Sequence, residues 1–565
     1  MDITFEDRLS ALQQISQRKL VDILDSIRGK KDLIIEQKLM KPLDSFIGAS
    51  ILKRHGVDKI FKLEPGLKPV NLQRIFLTSC DLISCKRVLD QIHAELSQNQ
   101  ALDFHILITP FVPPIILTLI EEEGLADMLS VRPITWELIQ IDGNILSLEL
   151  PIFCDLYYHN DSSLLPALSR SLWSLQMIIG WPKLVLTFGK HSENLSSMID
   201  TMRENAKTVC PDNEIGAIII MDRSYDFVST LLTPVSYVGL LSEVIPISIS
   251  TANLEGSNIK LDPKNDQVYQ DIRDIHFSDV FPKLKNMAKT LKSEQESTQT
   301  MKLEEMGRYI ATKLQKTTEV KKQLAAHITI CEAIVNELGT EFESLQAIEK
   351  SILDCTKRKE CLDYIERNID DNPMRSLRLL CLLSITSDGL MPSELKIIQK
   401  SYLHAHGYHH ISLFHKLERI GFLKQKKENI LRKLPNWKSE WTNSAQRMKL
   451  IPNQNKKNDE KLITCPSYVY SGAYIPAIAQ FLNIAVGHSS DPKSFEEMIS
   501  LPECRSNRQK PIVQQKTVIV CVIGGLTFGE ISACRLIEKS TGSKIVLVSD
   551  CLLTGSNLMK YVQDT

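Results

Sequence analysis

Three stretches of this chain set chemically capable residues at suggestive spacings. The first is Gly524-Gly525-Leu526-Thr527-Phe528-Gly529-Glu530, which follows an apolar run and opens a helix-like one. A glycine turn there could cradle a pyrophosphate on backbone N–H groups. Asp550, ending the next apolar run, stands where a ribose-binding acid belongs. The spacing, however, is G-G-x-x-x-G instead of G-x-G-x-x-G, and Thr527 with Glu530 makes a T-x-x-E capping box. Such a box fills the helix-start amides with side-chain oxygens and puts a carboxylate where phosphate would sit. The structural reading outweighs the cofactor one, and no cofactor is expected. The surviving alternative is a nucleotide-dependent enzyme using this turn.

The second stretch is Asp222, Arg223 and Asp226, closing the apolar run Ala217–Met221. Two carboxylates and a cation could do acid–base work, but no His or Cys stands nearby in sequence to complete a nucleophile arrangement. An ion-pair network pinning a strand end to its loop is the stronger reading. The third stretch, HAHGYHHISLFH, gathers His404, His406, His409, His410 and His415. Its spacing fits no zinc pattern and lacks Cys or carboxylate companions, so no metal is expected; a partly exposed helix–turn–helix connection accounts for it. Gly189-Lys190 has no upstream glycine at P-loop spacing and no Ser or Thr after the lysine, so it is no Walker motif.

The elements that must position these residues follow from periodicity. Ala217–Met221 has the branching of a strand buried on both faces. Thr233-Pro234 suits a helix start, with Thr233 as N-cap and Pro234 first in the helix; Tyr237, Leu240, Leu241 and Val244 follow at helical spacing. Upstream, KDLIIE, VDKIFKLE, RIFLTS and FHILITP read as strands alternating with helices, which implies a parallel doubly wound sheet. NILSLELP is a further alternating strand. From about Ile245 strands become scarce and helices dominate. The end of the chain, TVIVCVIGG, a helix and SKIVLVSD, is a βαβ unit that cannot bury both faces alone and is expected to complete the second sheet.

Several separate stretches resemble one family, in order along the chain. MDRSYDFVSTLLTPVSYVGLL looks like the central signature of the Sec/Munc (SM) regulators of SNARE-mediated membrane fusion, carried by Asp222, Arg223, Asp226, Thr233, Pro234 and Tyr237. KKDLIIEQKLMKPLDSFIGASILKRHGVDKIFKLE resembles the start of that family's vacuolar and lysosomal sorting (Vps) branch, nearest its second, B-type, paralogue. DIRDIHFSDV resembles the Arg-His pattern of the family, on Arg273 and His276, and YVYSGAYIPAIAQFL its return segment, with Gly472 and Pro476. The Gly524, Gly525, Thr527 and Glu530 run also has a counterpart there, without known catalysis.

The resemblance implies the SM arch, α/β plus α: domain one over 1–125, a discontinuous domain two over 126–244 and 510–565, and a largely helical domain three over 245–509 with a helical hairpin near 281–335. It implies a protein that is not an enzyme, binds SNARE helices and regulates their assembly in endosome- and lysosome-directed tethering and fusion. It implies a Vps-sixteen-like helical tethering subunit as partner, through which a cytoplasmic protein would sit peripherally on late endosome or lysosome membranes. Phe281, Leu284, Met287, Leu291, Met301 and Met306 are the expected SNARE contacts, some of them turned instead to the domain core.

The totals agree with a large soluble chain. Its 565 residues exceed one core, and a net charge of −1 gives no whole-molecule attraction to nucleic acid or anionic membrane. Thirteen scattered cysteines, with no Cys-x-x-Cys, fit reduced core thiols better than a disulfide framework. The N-terminus lacks a signal core, and prolines 110, 113 and 114 interrupt the longest apolar run.

Overall fold

The computed structural model describes residues 5–97, 102–206, 215–254, 256–298, 314–426, 439–452, 465–486, 492–511 and 517–565, with side chains in all but 294–298 and 314–315. The N-terminal helix Phe5–Ser26 precedes a five-stranded sheet of β1 (Lys31–Ile35), β2 (Val57–Lys62), β3 (Gln73–Ser79), β4 (Asp103–Thr109) and β5 (Leu129–Pro133). All pairs are parallel and the order is β2-β1-β3-β4-β5. Every residue of β1 is buried, as a strand covered on both faces requires.

The second sheet gathers β6 (Ile139–Asp142), β7 (Ile145–Ser147), β8 (Leu184–Phe188) and β9 (Ile215–Asp222). A three-stranded antiparallel meander, β10 (Ile247–Ser248), β11 (Thr251–Leu254) and β12 (Ser257–Lys260), stands apart at the start of the helical part. Then β13 (Cys504–Ser506), β14 (Thr517–Ile523) and β16 (Lys544–Ser549) return to the second sheet, while β15 (Leu526–Thr527) pairs with β17 (Leu552–Leu553). The second sheet's order is β13-β8-β9-β14-β16-β7-β6. β9 and β14, far apart in sequence, lie side by side in parallel at its centre with every residue buried.

Some details differ from the sequence reading. The second sheet is mixed, because β13 and β6 add antiparallel edges. Two strands fall beyond the expected domain limits: β5 lies past residue 125 in the first sheet, and β13 lies before residue 510 in the second. Both are short edge strands of mixed burial, with little periodicity to reveal them. No helix among the described residues is long and apolar enough to cross a membrane.

The helical part has its own core. Tyr237, Leu240, Val268, Ile272, Val280, Leu284, Leu324, Ile330, Cys331 and Ile334 form one cluster. It joins the helices Tyr237–Val244, Gln267–Ile272, Phe277–Thr298 and Leu314–Leu338. The last two are the arms of the expected hairpin, and Leu324, Ile328 and Cys331 line its inner side.

Candidate functional site

The glycine turn after β14 is closed by the protein's own carboxylates. Gly524 and Gly525 donate their amides to Asp550 Oδ1 at 2.7 and 2.9 Å. Asp550 is fully buried; burial pushes its carboxyl up, and the amides of Gly525, Gly524 and Ile152 pull it back. The acid that sequence placed at a ribose instead occupies the phosphate position. The capping box forms as expected: the Thr527 amide donates to Glu530 at 2.9 Å, and the Glu530 amide to Thr527 Oγ1 at 3.2 Å. A Cβ at Gly525 would stand 2.1 Å from Leu553 Cδ1, so no empty cradle lies over the turn.

The first sheet is closed in the same way. Its order reverses between β1 and β3, the point where open α/β sheets bind ligands. Glu36 fills it: Oε2 accepts from the Ser79 amide and hydroxyl at 2.8 Å each, and Oε1 from Ser84 Oγ at 2.8 Å. Burial would raise this carboxyl, but the Ser79 amide and Lys38 hold it below its ordinary value.

The signature residues form a buried network joining the second sheet to the helices. Arg223 donates to both oxygens of Glu530 at 2.7 and 2.8 Å and to the carbonyls of Gly525 and Asp226. Asp222 caps the turn at Ser224 and accepts from the Tyr157 hydroxyl. Asp226 caps Ser229 and takes the Tyr474 hydroxyl and the Ala477 amide, so it ties down the return segment. Arg273 and Arg535 share Asp142 on β6.

Thr233 and Pro234 depart from expectation. Thr233 gives its amide and hydroxyl to Glu349, at 3.2 and 2.7 Å, and accepts from Arg378. It does not cap the helix. Ser236 does so instead, accepting from Gly239 N at 3.3 Å, and the helix begins at Tyr237 with Pro234 outside it. A buried acid from another element has outbid the local cap.

Two histidines root the hairpin. His276 precedes the first arm; its ring meets Ser471 Oγ at 3.3 Å and Ser278 Oγ at 2.9 Å, and its amide donates to the Tyr468 hydroxyl. His327, on the second arm and fully buried, lies between the Tyr237 hydroxyl at 2.7 Å and Asp266 Oδ2 at 3.0 Å. Tyr237 thus reaches from the signature into the hairpin.

Sequence reasoning missed the approach of Ser471 to His276, a hydroxyl beside a base with Ser471 in the left-handed region at φ 50°. The two lie far apart in the chain, and only the return segment brings them together. Burial holds His276 below its ordinary value, which suits a base. An oxyanion needs free amides, and those of Ser471, Gly472 and Ala473 already donate to Tyr468, Ser467 and Tyr470. The pair is a tether.

Of the expected contact residues, Phe281 is 42% exposed and Leu284 is 2% exposed. Met287 and Leu291 are half-buried against the helical cluster, so with Leu284 they serve the seam inside the hairpin. Met301 and Met306 lie outside the described residues. In the histidine-rich stretch, His406 is committed to the Ile369 carbonyl at 2.8 Å, and among the described residues no group of His, Cys, Asp or Glu is arranged to hold a metal. Beside it Tyr408 and Ile411 stand 69% and 56% exposed.

Two sheets plugged by their own carboxylates, keyed through a buried Asp-Arg signature to a helical body with a two-helix hairpin, define the class. A family model described as the Sec1 family matches residues 31–561, and the chain belongs to that family. It is similar to vacuolar protein sorting-associated protein 33B of Rattus norvegicus, 27% identical over 98% of this chain and 97% of the relative. Against 33A of the same species the identity is 25% over 98% of each chain. Among solved structures the arch is shared with Vps45 in complex with the Qa SNARE Tlg2, TM-score 0.58 at 14% identity, covering 98% of each chain. It is shared too with Sly1p in complex with an N-terminal peptide of Sed5p, TM-score 0.59 at 15% identity, covering 98% of each chain.

Proposed function

We propose that this protein binds SNARE helices and templates their assembly in endosome- and lysosome-directed tethering and fusion. The observation that carries the reading is the pair of helices Phe277–Thr298 and Leu314–Leu338, tied through His327 to Tyr237 of the signature and through the preceding His276 to Ser471 of the return segment, while Phe281 on the first helix stays open. A rooted pair of helices can hold partly folded segments in register and so reduce the ordering entropy they must lose to zipper. Its likeness to vacuolar sorting proteins, and to Vps45 and Sly1p, which were solved with the Qa SNARE Tlg2 and a Sed5p peptide, supports the same reading.

Membrane recruitment comes through a helical tethering subunit of the Vps-sixteen kind, which makes this a peripheral, cytoplasmic component. Tyr408 and Ile411, three residues apart on exposed turns, offer such a subunit an apolar face. The rival, a nucleotide-dependent enzyme, would need the amides that Asp550 and Glu36 occupy.

A pull-down of soluble SNARE bundles and of a Vps-sixteen-like subunit, run beside a nucleotide titration, tests this. SNARE capture without saturable nucleotide binding supports it; the reverse overturns it. Capture of the subunit alone, unchanged by charge reversals across Lys302–Lys322, would make the protein a scaffold and would also overturn it.

A further inference from the structure

A cleft of about 630 Å³ lies where the turn after β9 meets the helix Glu440–Arg447, and no hairpin residue lines it. Ligand sites are of this size, roughly 300–1,000 Å³, and commonly occupy junctions between parts of a fold. The walls are held by bonds of their own. Tyr225 donates to the Pro502 carbonyl at 2.8 Å, and Tyr474 to Asp226 at 2.9 Å. Asp388 accepts the Glu440 amide at 2.8 Å and so fixes the start of the lining helix. The cleft is therefore preformed.

Its lining suits recognition of another chain. Leu450, Leu501 and Ile420 are buried at its base, while Tyr225, Trp441 and Met448 are half-buried in its walls. Trp, Tyr and Arg are the residues that most often anchor protein interfaces, and Met adapts its shape to what packs on it. The rim supplies the arginine. Arg447 is exposed and bonds weakly to Ser500, at 3.3 and 3.4 Å, through one Nη. Its Nε and other Nη have no hydrogen-bond partner among the described residues, so a planar fork is left to meet a carboxylate. The acids of the cleft do not compete for it. Asp226 is held by Ser229, Tyr474 and Ala477, and Asp388 by the amides of Glu440 and Trp441. Glu440 stands two helical turns from Arg447.

We infer that this cleft binds a short, extended, acidic peptide of a partner protein. A large apolar side chain packs on Trp441 and Met448, and a neighbouring carboxylate takes the fork of Arg447. The half-buried walls select the apolar residue and the rim selects the acid; a basic residue there would face a like charge. The site is separate from the hairpin and does not depend on SNARE binding.

The test uses the full-length protein and a displayed library of random heptapeptides. Selection should enrich sequences with an aromatic or large aliphatic residue within two positions of Asp or Glu. Synthetic copies are then titrated against wild type and two variants. Arg447→Glu should weaken them roughly tenfold or more, and copies with the acid changed to Lys should regain affinity for that variant alone. Ser444→Trp fills the cleft from an exposed position and should abolish binding. Both positions are exposed, so the melting curves should stay in place. Failure to enrich any peptide overturns the proposal, as does enrichment of peptides without an acid. Equal affinity of wild type and Arg447→Glu overturns it too. So does binding that survives Ser444→Trp, because the peptide would then sit elsewhere.

Discussion

Arg223 and Glu530, 307 residues apart in sequence, meet as a two-pronged ion pair at 2.7 and 2.8 Å with neither side chain exposed. Arg223 leaves the end of β9 and Glu530 caps the helix that follows β14. The pair therefore rivets the two central strands of the second sheet at their carboxyl ends, where a nucleotide fold would leave an opening.

Removing one partner strands a buried charge. Glu530→Gln and Arg223→Met should each cost about 3–5 kcal/mol, and the apolar pair Arg223→Met with Glu530→Leu should recover part of that loss. Chemical unfolding followed by tryptophan fluorescence checks this. A double variant no better than the worse single one would show that the pair's other bonds, to Gly525 and Asp226, matter more.

Gly525→Ala is expected to destabilise by roughly 2–4 kcal/mol, because the residue sits at φ +94° and its new Cβ would meet Leu553 Cδ1 at 2.1 Å. Leu553→Ala in the same chain should relieve the clash but not the backbone strain. Partial recovery in a thermal melt is the expected result.

Glu349 should make stability depend on pH. Burial raises its carboxyl to about 7 against the pull of Arg378 and Thr233. A carboxyl raised on folding favours the native state most when protonated, so its contribution is full at acid pH and is lost as pH rises through about 7. The unfolding free energy of Glu349→Gln relative to wild type, measured by chemical denaturation, should therefore climb between about pH 4.5 and 7 and then level off, by an amount on the order of 1–3 kcal/mol. A flat difference across that window would sink the assignment.

Tyr237→Phe removes the hydroxyl bonded to His327 and leaves a buried ring nitrogen unpaired, at a cost of about 1–3 kcal/mol. The loss should be local. Amide exchange in Leu314–Leu338 should quicken by roughly tenfold or more while β9 and β14 keep their protection. Uniform loss across the chain would show that Tyr237 supports the whole core and not the hairpin root.

Much of this was legible in the residues. Ala217–Met221 and Val518–Ile523 are continuous apolar runs rich in Ile and Val, the composition that suits a strand buried on both faces. The T-x-x-E box needs only four consecutive residues, so Thr527 and Glu530 form it as read. Leu324 and Cys331, two helical turns apart on the second arm, are both buried in the helical cluster.

What the sequence by itself determined were the features closed within a turn or two of backbone: strand runs, helical periodicity, the capping box and the order of the elements. The tertiary structure alone decided which partners met across long stretches of chain. It brought Glu349 to Thr233 and moved the cap to Ser236, carried Asp550 onto the glycine amides, and set Ser471 beside His276. It also turned Leu284 inward and left Phe281 open, although both lie on one apolar stripe. The reason is physical. Helix and strand patterns arise from short-range sterics and hydrogen bonding, which sequence spacing encodes. The destination of a buried carboxylate depends instead on which distant donors the closed sheets leave unsatisfied.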